Sequence, residues 1–141
     1  MDRAPLNPAD STQKITALDR VRVYQLALEA SERAWADATA MSANALLAQV
    51  GPQLVRAAGS ISANIAEGYA RRSPRERVRF YEYALGSSEE ARSWCTVGRR
   101  ALTASDLEER LDRLTSIRRL LLVMIRNERT GKNWNAPRRG D

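Results

Sequence analysis

Apolar residues recur at steps of three and four along most of this chain, and that rhythm admits few folds. In a first stretch Val21, Tyr24, Leu28 and Trp35 fall on one helical face; in a second, Leu47, Val50, Leu54, Ala58, Ile61, Ile65 and Tyr69 do. A third stretch places Val78, Tyr81, Leu85, Ser88 and Cys95 near one seam with Trp94 beside it, and a fourth carries Leu107, Leu111, Leu114, Leu121 and Ile125. The spacing predicts helices over about 18–38, 44–71, 74–102 and 105–130. Ser73-Pro74-Arg75-Glu76 has the chemistry of a helix start, with Ser at N-cap, Pro at the first helical position and Glu three residues after the cap. Ser105-Asp106-Leu107-Glu108 repeats the pattern, and Gly131 is placed to end the fourth helix. Gly51-Pro52 interrupts the second stretch, and because the rhythm continues across it a kinked helix is expected there. No alternating β-branched run or Asn-Gly or Asp-Gly hairpin competes. Short connections make neighbouring helices antiparallel, so the fold class is all-α, an up-down-up-down four-helix bundle.

The 141 residues fit one domain and can bury a core without metal or disulfide support. The expected division is a polar N-terminal arm over 1–16 with Pro5 and Pro8, the bundle over 17–131, and a basic tail over 132–141. The N-terminus lacks the apolar core of a signal peptide. The longest apolar run, Leu120 to Ile125, falls far short of the roughly 20 residues a membrane span needs. Cys95 is the sole cysteine, so no intrachain disulfide can form. These features lead us to expect a soluble, cytoplasmic protein with no membrane partner.

Histidine is absent, which removes the commonest general base and the commonest metal ligand. One cysteine without histidine makes neither a Cys-His nucleophile nor a zinc site, and the glycines are scattered singly rather than gathered in a phosphate loop. Glu89-Glu90 and Glu108-Glu109 read most simply as solvated helix charges. We therefore expect no catalytic residue, no metal and no cofactor. A carboxylate-based nuclease or hydrolase is the one catalytic alternative.

Charge points instead to binding. The net charge is +6, and the basic residues are arginines except Lys14 and Lys132. Arginine grips phosphate bidentately and stacks on bases, although an arginine-for-lysine bias of genomic composition would produce the same count. Two concentrations are candidate nucleic-acid sites. The first is Arg71, Arg72, Arg75, Arg77 and Arg79, between the second and third helices; its alternative reading is helix-end charge answered by intramolecular glutamates. The second lies within 113–139: Arg113, Arg118, Arg119, Arg126, Arg129, Lys132, Arg138 and Arg139 against Glu128 alone, a local balance of +7. Trp134 lies within the tail and could stack on a base, or the tail could be a disordered solubilising end.

Two candidate protein interfaces also stand out. Arg56, Ser60, Asn64 and Glu67 share a sector of the second helix away from its apolar seam, with Ala63 among them. The small residues would let another helix approach; an ordinary solvated face is the alternative. The run from Leu120 to Ile125 is apolar all round the helix, so Leu122 and Val123 cannot join the same core face as their neighbours and suit burial against another subunit.

The run Arg56-Ala57-Ala58-Gly59-Ser60-Ile61-Ser62-Ala63-Asn64-Ile65-Ala66-Glu67-Gly68-Tyr69 resembles the hallmark of the four-helix-bundle proteins encoded in intervening sequences of bacterial 23S ribosomal RNA genes. Arg72-Ser73, Arg79-Phe80, Ala84-Leu85-Gly86-Ser87 and Glu90 resemble that family's third helix, and Val23-Tyr24 stands where it has a valine-tryptophan pair. The chain departs from the family at Ser62, where proline is usual, and at Gly51-Pro52. The resemblance spans about 18–127 and implies antiparallel bundles that assemble as homopentamers. A related branch, the accessory variability proteins of diversity-generating retroelements, is similar in fold; its members are basic pentamers that bind nucleic acid and partner with a reverse transcriptase. The resemblance thus implies a homo-oligomeric basic scaffold that binds RNA or DNA, as an accessory to a reverse transcriptase or to ribosomal RNA. The alternative is a protein-only adaptor docking a polypeptide through the second or fourth helix.

Overall fold

The computed structural model describes residues 16–131. The sequence-expected arm (all but residue 16) and the tail, with Lys132, Trp134, Arg138 and Arg139, lie outside them. Helices α1 (Arg22–Ser42), α2 (Val50–Tyr69), α3 (Pro74–Val97) and α4 (Ala104–Arg129) follow one another, with 3-10 turns at Leu18–Arg20 and Arg99–Ala101. No strand occurs among the described residues. α2 packs against α1 and α3, and α4 against α3 and, more thinly, α1. This is the expected antiparallel four-helix bundle.

The apolar seams of α2, α3 and α4 lie where the rhythm places them. Leu54, Ala58, Ile61 and Ile65 are buried, as are Tyr81, Ser88 and Cys95, and Leu114, Leu121 and Ile125. On α1 the structure overturns the expected face. Val21, just before α1, is buried as expected, but Leu28 and Trp35 are exposed and Tyr24 only half-buried, while Val23, Leu26, Ala27, Ala34 and Met41 face the core. Alanines on α1 match close helix approach: a Cβ on Gly51 of α2 would come within 3.0 Å of the Ala38 Cα and Cβ. Side-chain size therefore misleads here, because the core face of α1 was selected for thinness.

Helix boundaries move for local reasons. α2 begins at Val50, so Pro52 falls in its first turn, where no backbone donor is required. The expected kink is replaced by turns over 43–49 and one uninterrupted helix. Ser62 donates its hydroxyl to the Gly59 carbonyl at 3.1 Å within that helix. α3 starts as expected, with Ser73 Oγ accepting from the Glu76 N–H at 3.2 Å and Pro74 at the first position. It ends at Val97 rather than Leu102, with Gly98 as its C-cap. α4 is capped by Thr103, whose Oγ1 accepts from the Asp106 N–H at 3.0 Å, and not by Ser105. Gly131 follows α4 with φ of 70°, the left-handed conformation that glycine adopts without penalty.

Gly68 explains one letter of the α2 motif. A Cβ there would sit 2.8 Å from Tyr81 Cε1 and 3.0 Å from Phe80 Cβ, so only glycine allows α3 to lie this close. Two partly buried ion pairs join the helices at opposite ends. Arg77 Nη2 of α3 donates to Glu128 Oε2 of α4 at 2.8 Å, and Arg110 of α4 pairs with Asp37 of α1.

Candidate functional site

The antiparallel order brings the start of α1, the end of α2, the start of α3 and the end of α4 to one pole of the bundle. Segments 16–24, 64–82 and 121–131 together hold nine arginines against five acids. The opposite pole, 33–56 and 93–112, balances five arginines with five acids, and the middle of the helices balances four with four. The entire positive excess of the described residues therefore resides at one pole. The sequence places Arg71 to Arg79 some 50 residues from Arg126 and Arg129; the fold joins them, and the Arg77–Glu128 contact spans 51 positions of chain.

The candidate nucleic-acid residues divide by what they touch. Arg77 belongs to the bundle: its Nη1 donates to the Arg71 and Arg72 carbonyls at 3.1 and 2.7 Å, and its side chain is 13% exposed beside a Glu128 that is 2% exposed. The hydrogen bond to Glu128 raises the Arg77 pKa against the opposing effect of burial. Arg71 pairs with Glu67 and lies 5.0 Å above the Phe80 ring. Arg79 donates to the Tyr83 hydroxyl at 2.9 Å, which raises its pKa, and Arg129 pairs with Glu82. Arg118, nearer the middle of α4, pairs with Glu89 at 3.0 Å, and Arg113 with Glu29 at 3.3 Å. The intramolecular alternative thus describes Arg71 and Arg77. Arg72, Arg75, Arg119 and Arg126 are exposed and make no ion pair among the described residues, and Arg20 and Arg22, which charge counting along the chain passed over, share that state. Arg75, Arg79, Arg129 and Glu128 line a cleft between the start of α3 and the end of α4.

The stripe on α2 flanks α3. Arg56 pairs with Glu90, whose carboxyl that contact holds below its ordinary pKa, with a further hydrogen bond from Trp94 Nε1 at 3.3 Å. Ser60 donates to the Arg56 carbonyl at 2.9 Å and Asn64 to the Ser60 carbonyl at 2.8 Å, both half-buried, so these side chains satisfy their own helix. Glu67 is taken by Arg71. Leu122 and Val123 do point outward, 42% and 41% exposed. A second apolar surface, which periodicity assigned to the core, lies along the outer side of α1 and α2. Trp35 is 64% and Leu28 41% exposed, and Trp35 lines a groove with Ala38, Thr39, Pro52, Val55 and Arg56.

Among the described residues no group of His, Cys, Asp or Glu is arranged to hold a metal ion, and no helix is long and apolar enough to cross a membrane. Cys95 is buried, and that burial, helped by the negative charge of Asp37, pushes its thiol up to about 11.

Fold and charge together define an arginine-rich, all-α four-helix-bundle protein with one basic pole. The chain belongs to the family of 23S rRNA-intervening sequence proteins, whose model matches residues 19–123. The fold is also that of a crystal structure from Bacteroides thetaiotaomicron VPI-5482, a protein with unknown function from the S23 ribosomal protein family. That likeness has a TM-score of 0.68 at 24% identity and covers 73% of this chain and 97% of the other. No curated protein matches the chain.

Proposed function

We propose that this protein is a non-catalytic, homo-oligomeric scaffold that binds RNA or DNA through its basic pole. The observation that carries the reading is the gathering of the whole positive excess of the described residues at one end, where six arginines (Arg20, Arg22, Arg72, Arg75, Arg79 and Arg126) form no ion pair among the described residues. Unpaired guanidinium groups on a surface release counterions when they meet phosphate, giving affinity that falls steeply with salt. Assembly into a ring, which the family resemblance implies as a pentamer, would set several such poles side by side and strengthen the field. Service to ribosomal RNA, or to a reverse transcriptase as in the related retroelement branch, fits the same chemistry. The test is fluorescence anisotropy of labelled RNA and DNA oligonucleotides over a salt series. Binding that weakens linearly in log salt, and weakens further when Arg72, Arg75 and Arg126 are replaced by alanine, is expected. No binding at low salt would overturn the proposal.

The exposed apolar residues on α1 and α4 favour a second reading, a protein-only adaptor that docks a polypeptide. It predicts that neutralising Arg118, Arg119, Arg126 and Arg129 leaves partner binding intact.

A further inference from the structure

Charge alone does not tell a single strand from a duplex, because both offer phosphates. Aromatic faces do, and two aromatic rings are exposed among the described residues, Trp35 and Tyr83. The arginine in the groove of Trp35, Arg56, is spent on Glu90. Tyr83 has a different neighbour. It stands on α3 one turn beyond Arg79, 47% exposed, and Arg79 makes no ion pair among the described residues. Arg79 Nε donates to the Tyr83 hydroxyl at 2.9 Å, and the guanidinium carbon lies 5.6 Å from the ring centroid. Phe80 meets the same ring edge to face, with centroids 5.8 Å apart and planes at 88°. Arg71 lies 5.0 Å from the Phe80 centroid. Arginines and aromatic rings therefore interleave over one patch of the bundle. Arg79 also lines the cleft that holds Arg75 and Arg129, so the ring adjoins the basic pole. The acids of this region do not cancel it. Glu67 is paired with Arg71, Glu82 with Arg129 and Glu128 with Arg77, which leaves Glu76 against Arg75 and Arg79.

We infer that Tyr83 is a stacking platform for an unpaired base, and that the strand it holds is single. The inference rests on the nucleic-acid part of the proposed function and specifies the form of nucleic acid. Every base has a π-face, so a tyrosine ring accepts any of them. In a duplex those faces are covered by neighbouring base pairs; in a single strand they are free to leave the stack. The hydroxyl bond from Arg79 and the edge contact with Phe80 fix the Tyr83 ring before a base arrives, so little side-chain entropy is lost on binding. Space is also available. Gly86 follows one turn after Tyr83, and a Cβ there would meet nothing within 4 Å. Arg79 can hold the ring and a phosphate together, because a guanidinium carries five N–H donors and the tyrosine takes one. Arg75 lies one turn closer to the pole, about 6 Å along α3, where the backbone of the same strand would continue.

The experiment is fluorescence anisotropy on the full chain at one salt concentration. The probes are labelled single strands of RNA and of DNA, the matching duplexes, and a single strand with abasic sites in place of its bases. Wild type is compared with Tyr83→Ala and Tyr83→Trp, with circular dichroism and unfolding as checks on the fold. Expected for Tyr83→Ala is a fall of about tenfold in the ratio of single-strand to duplex affinity, while Tyr83→Trp keeps the wild-type ratio. The wild type should bind the abasic strand about tenfold more weakly than the intact one, a comparison that needs no variant. A loss confined to RNA or to DNA supports the inference and identifies the strand. A ratio unchanged by Tyr83→Ala, or an abasic strand bound as well as the intact one, would make Arg79 and Tyr83 a pair that serves α3 alone; it would overturn this inference and leave the nucleic-acid reading standing. A wild type that binds no nucleic acid would overturn both.

Discussion

Arg110 of α4 clasps Asp37 of α1 with both arms of its guanidinium: Nε lies 2.9 Å from Oδ2 and Nη2 2.9 Å from Oδ1. The pair is nearly sealed from water, with side chains 12% and 4% exposed. It bridges the thinnest seam of the bundle, and Glu109 supplies a second carboxylate to the same guanidinium. The hydrogen bonds to Asp37 raise the Arg110 pKa against the cost of burial, so the guanidinium stays charged at every accessible pH. Removing one partner strands the other in a low-dielectric site. Asp37→Ala or Arg110→Ala should each cost about 3–5 kcal/mol in urea unfolding. Arg110→Lys keeps the charge but cannot fork, and should also destabilise, by less. A double variant less damaging than the sum of the singles would confirm the coupling.

Gly68 and Gly86 should respond oppositely to alanine. At Gly68 the new Cβ meets Tyr81 and Phe80 at 2.8–3.0 Å, and overpacking there should cost about 1–3 kcal/mol. At Gly86 the Cβ meets nothing within 4 Å, so helix propensity alone acts and should stabilise by up to about 1 kcal/mol. Equal effects in chemical denaturation would contradict the close approach of α2 and α3.

Cys95 should be silent to thiol reagents in the folded protein at pH 8 and react at the rate of global unfolding, as read by mass spectrometry. Its folded pKa of about 11 lies above the ordinary 9.0. The sign follows: the thiol's contribution to stability is fully present below 9.0 and is lost as pH rises towards about 11, because the unfolded chain gives up its proton first. Cys95→Ala should therefore show a shallower alkaline loss of stability than the wild type.

Arg72, Arg75 and Arg126 should act differently from Arg77. Each exposed arginine replaced by alanine should lower the slope of log affinity against log salt by about one, with little change in thermal stability. Arg77→Ala should instead unfold the chain at lower denaturant, because it leaves Glu128 buried without its partner.

Much of this bundle is legible in the sequence, and the exceptions share physical causes. Periodicity finds α2, α3 and α4 because their core faces carry the larger side chains, such as Ile61, Tyr81 and Leu121. It misplaces the face of α1 because the core side carries small Ala27 and Ala34, with Ala38 set close against Gly51 of α2, leaving Leu28 and Trp35 outside. Asp37, Arg92 and Arg110 gave no signal in sequence, since a charged side chain tied into the bundle is spelled with the same letter as a solvated one. Arg92, for example, reaches across to the Leu111 carbonyl at 3.2 Å and to Thr115.

The amino-acid order by itself determined the helices, the Ser73 cap, the glycine after α4 and the surplus of arginine, because each depends on residues within a turn or two of one another. Only the tertiary structure decided which arginines are spent and which remain. That depends on pairing across the bundle, as between Arg77 and Glu128, and on antiparallel packing that carries distant segments to one pole. Charge counted along the chain put the excess between 113 and 139; folded, Arg113 and Arg118 are answered by Glu29 and Glu89, and the surplus of the described residues lies at the pole formed by the starts of α1 and α3 and the ends of α2 and α4.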